Sequence, residues 1–181
     1  SFAEWLAIFA PLLPGRALAV DAGTGEGTLL PLLSPLYERV VAVDRSPARL
    51  ARCAERIAAL GLPNVRLREG SIDDPGLAEE IRGGRGASQL AGAPRTGLLA
   101  SQLPGADLVV IARVLHHVGR PQDVIASGAQ LLRAGGHLAV VDFVPHDDEA
   151  LREQGHVWLG FPPDKLRTYL VAAHLEPLVV E

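Results

Sequence analysis

The chain of 181 residues holds one cysteine, no methionine, 4% aromatic residues and, among 17 basic residues, a single lysine, Lys165. Each shortage excludes something. With Cys53 alone there is no intrachain disulfide and no thiolate zinc cage, so a reducing cytoplasm is the expected setting. A basic stripe is missing too: the net charge is −4 and the arginines are scattered, so no contact with nucleic acid is expected of this domain. No apolar run reaches the ~20 residues of a membrane span, and no membrane partner is expected. The stretch "WLAIFAPLL" at 5–13 is short, is broken by Pro11, and lacks the basic leader and small-residue cleavage site of a signal peptide. Without an initiator methionine, the chain is expected to begin inside a longer protein.

What is present is apolar sequence in short runs, 48% of the chain. The length fits one domain over 1–181, with an N-terminal helix within 1–14. Runs at 16–23, 38–44, 64–70, 106–112 and 136–143 read as five strands. Helices are expected between them, from Gly25 to about Leu36, from Ser46 to Leu60, and through "PQDVIASGAQLLRAGG". Ser46 and Pro47 look like an N-cap and first helical residue, and Gly61 like a stop. Within the second helix, Leu50, Cys53 and Ile57 repeat at helical spacing, which makes Cys53 a core thiol. Near-continuous apolar strands alternating with helices predict an α/β fold, a doubly wound, mostly parallel sheet in three layers. The segment 72–105 is the exception, a long insertion loop carrying Arg82, Arg85 and Arg95.

In such a sheet, ligands bind outside the carboxyl ends of the strands. Here those ends read "DAGTGEG", "DRS", "EGSIDD", "ARVLHH" and "DFVPH". Glycines at 23, 25 and 27 allow a close backbone approach to a ligand and feed an expected helix N-terminus. Asp44, 19 residues beyond Gly25, stands where a carboxylate chelates the two hydroxyls of a ribose. The pair points to a nucleoside cofactor. Asp21 divides the candidates, because a carboxylate beside the glycines repels a diphosphate and attracts an ammonium. That favours S-adenosylmethionine over a dinucleotide.

At these residues the chain resembles the class I S-adenosylmethionine-dependent methyltransferases, which share a Rossmann-like fold. The likeness runs from about Arg16 to Phe143 through "DAGTGEG", "VVAVDRSP", "DLVVIARVLHHV" and "LLRAGGHLAVVDF". A narrower one lies in "VDFVPHDDEALREQGHVWLGFPPDKL", similar to methyltransferase domains associated with ArsR-type regulators. The resemblance implies that Asp21, Gly23 and Gly25 line the methionine end, that Asp44 holds the ribose, and that Arg45 flanks the adenine. Thr24, Gly27, Ser71, Ile72 and Ala112 complete the implied cofactor set. The family often places an acid after the glycine that ends strand three, where this chain has Ser71, with Asp73 as substitute. It also usually adds an antiparallel strand pair after strand five. A DNA-binding module before Ser1 is the partner implied by the narrower likeness.

Methyl transfer needs proximity and dryness, and a base only when the nucleophile carries a proton. His116, His117, His146 and His156 are the candidates for that base, with Asp142 nearby in sequence. His146, His156 and Asp142 offer a less regular set of metal ligands, and no metal is assigned. Asp147, Asp148 and Glu149 suit a helix start that would carry His156 and Trp158 over the acceptor side. Strand four lacks the Asp/Asn-Pro-Pro-aromatic turn of amino-methylating nucleic-acid enzymes, so a small-molecule acceptor is expected. An S-adenosylmethionine sensor without turnover is the alternative, and a dinucleotide oxidoreductase the third. No oligomeric state is implied.

Overall fold

The computed structural model describes residues 2–83 and 105–180. Helix α1 (Phe2–Phe9) runs into a 3-10 turn at Ala10–Leu12, and β1 (Leu18–Ala22), α2 (Leu30–Leu33), β2 (Arg39–Asp44), α3 (Pro47–Leu60) and β3 (Val65–Glu69) follow. Then come α4 (Pro75–Gly83), β4 (Ala106–Ala112), a 3-10 turn at Leu115–His117, α5 (Pro121–Leu131) and β5 (Leu132–Val141). A 3-10 segment at Glu149–Gln154 and α6 (Pro163–Ala172) complete the order. No helix among the described residues is long and apolar enough to cross a membrane.

The five strands form one parallel sheet in the order β3-β2-β1-β4-β5. Every residue of β1 is buried, as is β4 up to Ile111, because helices cover both faces of the middle strands. One face buries Val20, Val41, Val109 and Ile111 with Leu77 of α4 and Ile125 of α5. The other buries Ala19, Val40, Leu108 and Val110 with Leu6, Leu30, Leu33 and Cys53. Chain order reverses direction between β1 and β4, which opens a crevice above their carboxyl ends.

Helix α3 starts and stops as its sequence dictates. Ser46 Oγ accepts a hydrogen bond from Arg49 N (3.3 Å), and Gly61 closes the helix in the left-handed conformation at φ 62°.

Four expectations are corrected. The first helix does not begin at Gly25, since Gly25 (φ 58°) and Gly27 (φ 76°) hold turns that a helix cannot contain. Only the single turn Leu30–Leu33 forms, so no helix N-terminus serves the glycine loop. The segment 72–105 is not wholly a loop, because Pro75–Gly83 is helical and seats Leu77 and Ile81 in the core. Arg85 and Arg95 fall outside the described residues. The helix after β4 stops at Leu131 and β5 begins at once, pairing Leu132 with Ala106. An irregularity follows before Leu108 pairs with His137. That strand ends at Val141 because Phe143 N turns to the side chain of Asp142 (2.8 Å). Finally, the acidic cluster opens a 3-10 segment, with Asp148 Oδ1 accepting from Ala150 N (3.2 Å). No antiparallel strand pair follows β5 among the described residues.

Candidate functional site

The crevice at the chain reversal is a cavity of about 320 Å³, within the ~300–1,000 Å³ of small-ligand clefts. Of the residues expected to bind a cofactor, Gly23, Asp44, Arg45, Ser71 and Ile72 line it. His117 lines it from the β4 side with Arg113, Val114 and Val118. Asp21, Thr24, Gly25, Gly27 and Ala112 do not reach its wall.

The glycine loop is bound to the sheet. Gly23 N and Thr24 N donate to Val43 O (2.8 and 2.9 Å), and Gly25 N donates to Asp44 Oδ2 (2.8 Å). Gly27 N donates to Thr24 O (2.9 Å). These four amides are spent within the protein and are not offered to a diphosphate. The glycines differ in purpose. A β-carbon on Gly23 would lie 2.3 Å from Val114 Cγ2, and one on Gly27 would lie 2.6 Å from Cys53 Sγ. One on Gly25 would meet nothing within 4 Å. Gly27 therefore serves the packing of α3.

Asp44 closes the β2 end of the cavity. Its Oδ1 accepts from Ser46 N (2.9 Å) while Oδ2 takes Gly25 N, so both oxygens are fixed in place. Each keeps a lone pair for a ligand hydroxyl. Below it Asp21 is buried, accepting from Thr24 Oγ1 (2.7 Å). Burial pushes its carboxyl up to about 6, with the Thr24 hydrogen bond pulling down and the charge of Asp44 adding to the rise. Next to Asp44, Arg45 donates to Ser71 Oγ (2.7 Å) and stands 3.7 Å from Asp73, whose carboxyl is lowered, chiefly by its hydrogen bond with Ser71. Asp73 itself does not line the cavity.

The β4 side is built from imidazoles. Asp142, at the end of β5, accepts Leu115 N (2.9 Å) and His116 N (3.3 Å) on Oδ2, and Phe143 N on Oδ1. His116 Nδ1 stands 2.7 Å from the same Oδ1 and, facing an acceptor, donates to it. His117 Nδ1 lies 3.1 Å from Gly155 O and donates likewise. His156 packs beside them, 4.2 Å from His116 and 5.1 Å from His117 between ring centroids. Two carbonyl contacts bring it there, since Val157 N and Trp158 N both donate to His116 O (2.8 and 3.1 Å). Burial holds the His116 imidazole below its usual value against the opposing pull of Asp142, and lowers His156 as well.

The structure therefore does not assemble the ligand set His146, His156 and Asp142. Asp142 is enclosed by protein donors, and His146 packs edge-on with Phe143, 5.8 Å between centroids, outside the converging set. Among the described residues the set that converges is His116, His117 and His156, with ligand nitrogens all within 4.8 Å of one another. Trp158 donates through Nε1 to Val118 O (2.8 Å) and carries Lys165 over its ring at 4.0 Å, so it braces the wall from outside.

Sequence reasoning missed Arg113, Val114, Val118 and Val124 as cavity residues. Arg113 carried no sequence signal. It adopts φ 58°, rare for a residue with a β-carbon, and its guanidinium lies 4.6 Å from the centroid of Phe143.

Comparison with known proteins adds to this geometry. Residues 20–138 match the model of a family described as a methyltransferase domain. No curated protein matches in sequence. Among solved structures, a candidate methyltransferase from Bacillus halodurans C-125 aligns with TM-score 0.69 at 19% identity, over 96% of this chain and 68% of that one. An O-methyltransferase family protein from Burkholderia thailandensis aligns with TM-score 0.65 at 20% identity, over 97% of this chain and 50% of its own. A SAM-dependent methyltransferase from Aquifex aeolicus aligns with TM-score 0.57 at 19% identity, over 94% and 81%. At such identities the structures speak for the fold, Rossmann-like with its crevice at the β1–β4 reversal. The family match spans about two thirds of the chain and takes in β1 through most of β5. A sheet that brings Gly23 and Asp44 to one crevice, and a sequence matched across that same stretch, have one explanation: this chain belongs to the methyltransferase domain family.

Proposed function

We propose that the domain transfers the methyl group of S-adenosylmethionine to a small-molecule acceptor. The observation that carries this reading is the state of the glycine loop: the amides of Gly23, Thr24 and Gly25 are spent on Val43 and Asp44 while two carboxylates, Asp44 and Asp21, stand at that end. Such an end repels a diphosphate and suits a cofactor with a ribose and an ammonium. When bound, that cofactor supplies a methyl carbon on a positively charged sulfur.

The chain's residues do the rest. Asp44 accepts the ribose hydroxyls, Arg45, Ser71 and Ile72 flank the base, and the field of Asp21 and Asp44 holds the ammonium. Val114, Val118 and Val124 keep water from the reacting atoms. Held there, the cofactor would offer that carbon to the acceptor's lone pair, the electrons of the breaking carbon–sulfur bond staying on sulfur. His117, exposed to the cavity with Nδ1 tied to Gly155, has Nε2 free to take the acceptor's proton. His116, His146 and His156 do not line the cavity, and of these His116 and His156 pack against His117.

The likeness of 141–166 to ArsR-associated domains supports a DNA-binding module ahead of Ser1, in which this domain senses the cofactor instead of turning it over. Incubation with cofactor carrying a deuterated methyl, against pools of thiols, phenols, hydroquinones and amines, separates the two. Transfer of the label with release of S-adenosylhomocysteine is the expected result. Cofactor binding without transfer to any pool would contradict it in favour of the sensor.

A further inference from the structure

We propose that His116, His117 and His156 form a binding site for one zinc ion whose fourth position opens on the cavity and receives the acceptor's thiol. The second half of this inference rests on the methyl-transfer reading; the first does not.

Four observations carry the site. One nitrogen of each ring lies within 4.8 Å of one from each of the others, so the rings close by no more than about 1.5 Å to reach the spacing of a tetrahedral ion with Zn–N bonds of ~2.0–2.1 Å. His116 and His117 each donate Nδ1–H to an oxygen, Asp142 Oδ1 and Gly155 O, which fixes the tautomer and leaves Nε2 as a lone pair. Carboxylate and carbonyl acceptors behind a metal's histidines are the usual supporting arrangement. Asp142 is itself immobilised by three backbone amides, and its side chain has no exposed surface. His156 is 92% buried, with a Nδ1 that has no partner, a cost that a ligand at the cluster would remove. Arg113 is the adverse charge, and its guanidinium is held on the face of Phe143.

Three imidazoles without a carboxylate suit zinc, and a three-histidine site leaves a fourth position open. Because His117 also lines the cavity, that position faces the space left for the acceptor. There the His117 lone pair is held by the metal and no longer serves as base, so a thiol bound through sulfur loses its proton to solvent. The sulfur's lone pair then forms the bond to the methyl carbon, while the pair of the breaking carbon–sulfur bond stays on the cofactor's sulfur.

The test uses the untagged chain, stripped of metal and titrated with Co²⁺ as a visible stand-in for zinc. Expected are ligand-field bands of a four-coordinate ion that saturate at one Co²⁺ per chain and are bleached by Zn²⁺. His156→Ala and the bulk-preserving His156→Gln should lose the bands while S-adenosylhomocysteine still binds, which shows the fold intact, and His146→Ala should keep them. Thiophenol should add a sulfur-to-cobalt band in the wild type. No stoichiometric band in a chain that binds S-adenosylhomocysteine, or bands that survive both His156 substitutions, overturns the site. Bands unmoved by thiophenol overturn the open position. Metal binding in a chain that ignores S-adenosylhomocysteine overturns the methyl-transfer reading and leaves the zinc site standing.

Discussion

On the β2 side of the cavity, position is set by backbone: Val43 O and the Asp44 carboxylate hold three successive amides, and the ligand-facing carboxylate belongs to the same network. On the β4 side, position is set by contacts among three separated segments, in which Asp142 orients His116, the Gly155 carbonyl orients His117, and the 155–158 turn brings in His156. The first arrangement is compact in sequence and resists change at its glycines. The second is dispersed and depends on one buried carboxylate.

Removing that carboxylate is the largest perturbation available. Asp142→Ala strands three backbone amides and the His116 Nδ1–H, and unsatisfied buried donors cost roughly 1–3 kcal/mol each. A loss of about 3–5 kcal/mol in chemical denaturation is expected, since removing one partner of a buried pair costs that much. A loss under about 1 kcal/mol would show that the histidine corner holds itself together.

The matching change on the other side is Asp44→Ala. Hydrogen bonds to a charged group are worth roughly 1.5–3 kcal/mol each, so losing two imperfectly should weaken S-adenosylhomocysteine binding by about 2–4 kcal/mol. Stability without ligand should fall as well, because Gly25 N and Ser46 N rest on the same oxygens. Affinity measured by calorimetry, with denaturation as the companion, separates the two effects.

The glycines grade the β2 side more finely. Gly25→Ala puts a β-carbon in open space at φ 58° and should cost about 1–2 kcal/mol, the left-handed backbone penalty. Gly27→Ala adds the clash with Cys53 and Leu30, and should unfold at clearly lower denaturant. Equal costs would mean that α3 can retreat from the loop.

The smallest effect is one of pH. The folded-state value of Asp21, about 6, lies above its ordinary 3.8, so the folded protein binds the proton more tightly. The stability this contributes is fully present below about 3.8 and is lost as pH rises through about 6. A cationic cofactor prefers the ionised carboxyl, so its affinity should rise about tenfold from pH 5 to pH 7. Asp21→Asn should flatten that rise.

Legibility follows the same division. Strands β1, β2 and β4 stand out because two covered faces demand continuous apolar runs, and Asp44 stands out because its spacing from Gly25 is short and local. The helix after the glycines misled, since apolar residues at 28–36 gave no hint of positive φ at Gly25 and Gly27. Helix α4 lay hidden in "PGLAEEIRG", where only Leu77 and Ile81 carry the periodicity. The histidines were each visible, but their grouping was not. His156 packs against both His116 and Phe143, whereas His146, nearer in sequence, packs against Phe143 and stays out of the converging set.

The central claim is that the β2 side of the cavity takes a nucleoside with an amino-acid tail and no phosphate. Parallel calorimetric titrations of the full chain with S-adenosylhomocysteine and NAD test it most directly. One S-adenosylhomocysteine per chain, lost in Asp44→Ala, and no heat from NAD are the predicted results. Saturable NAD binding with no response to S-adenosylhomocysteine would contradict it.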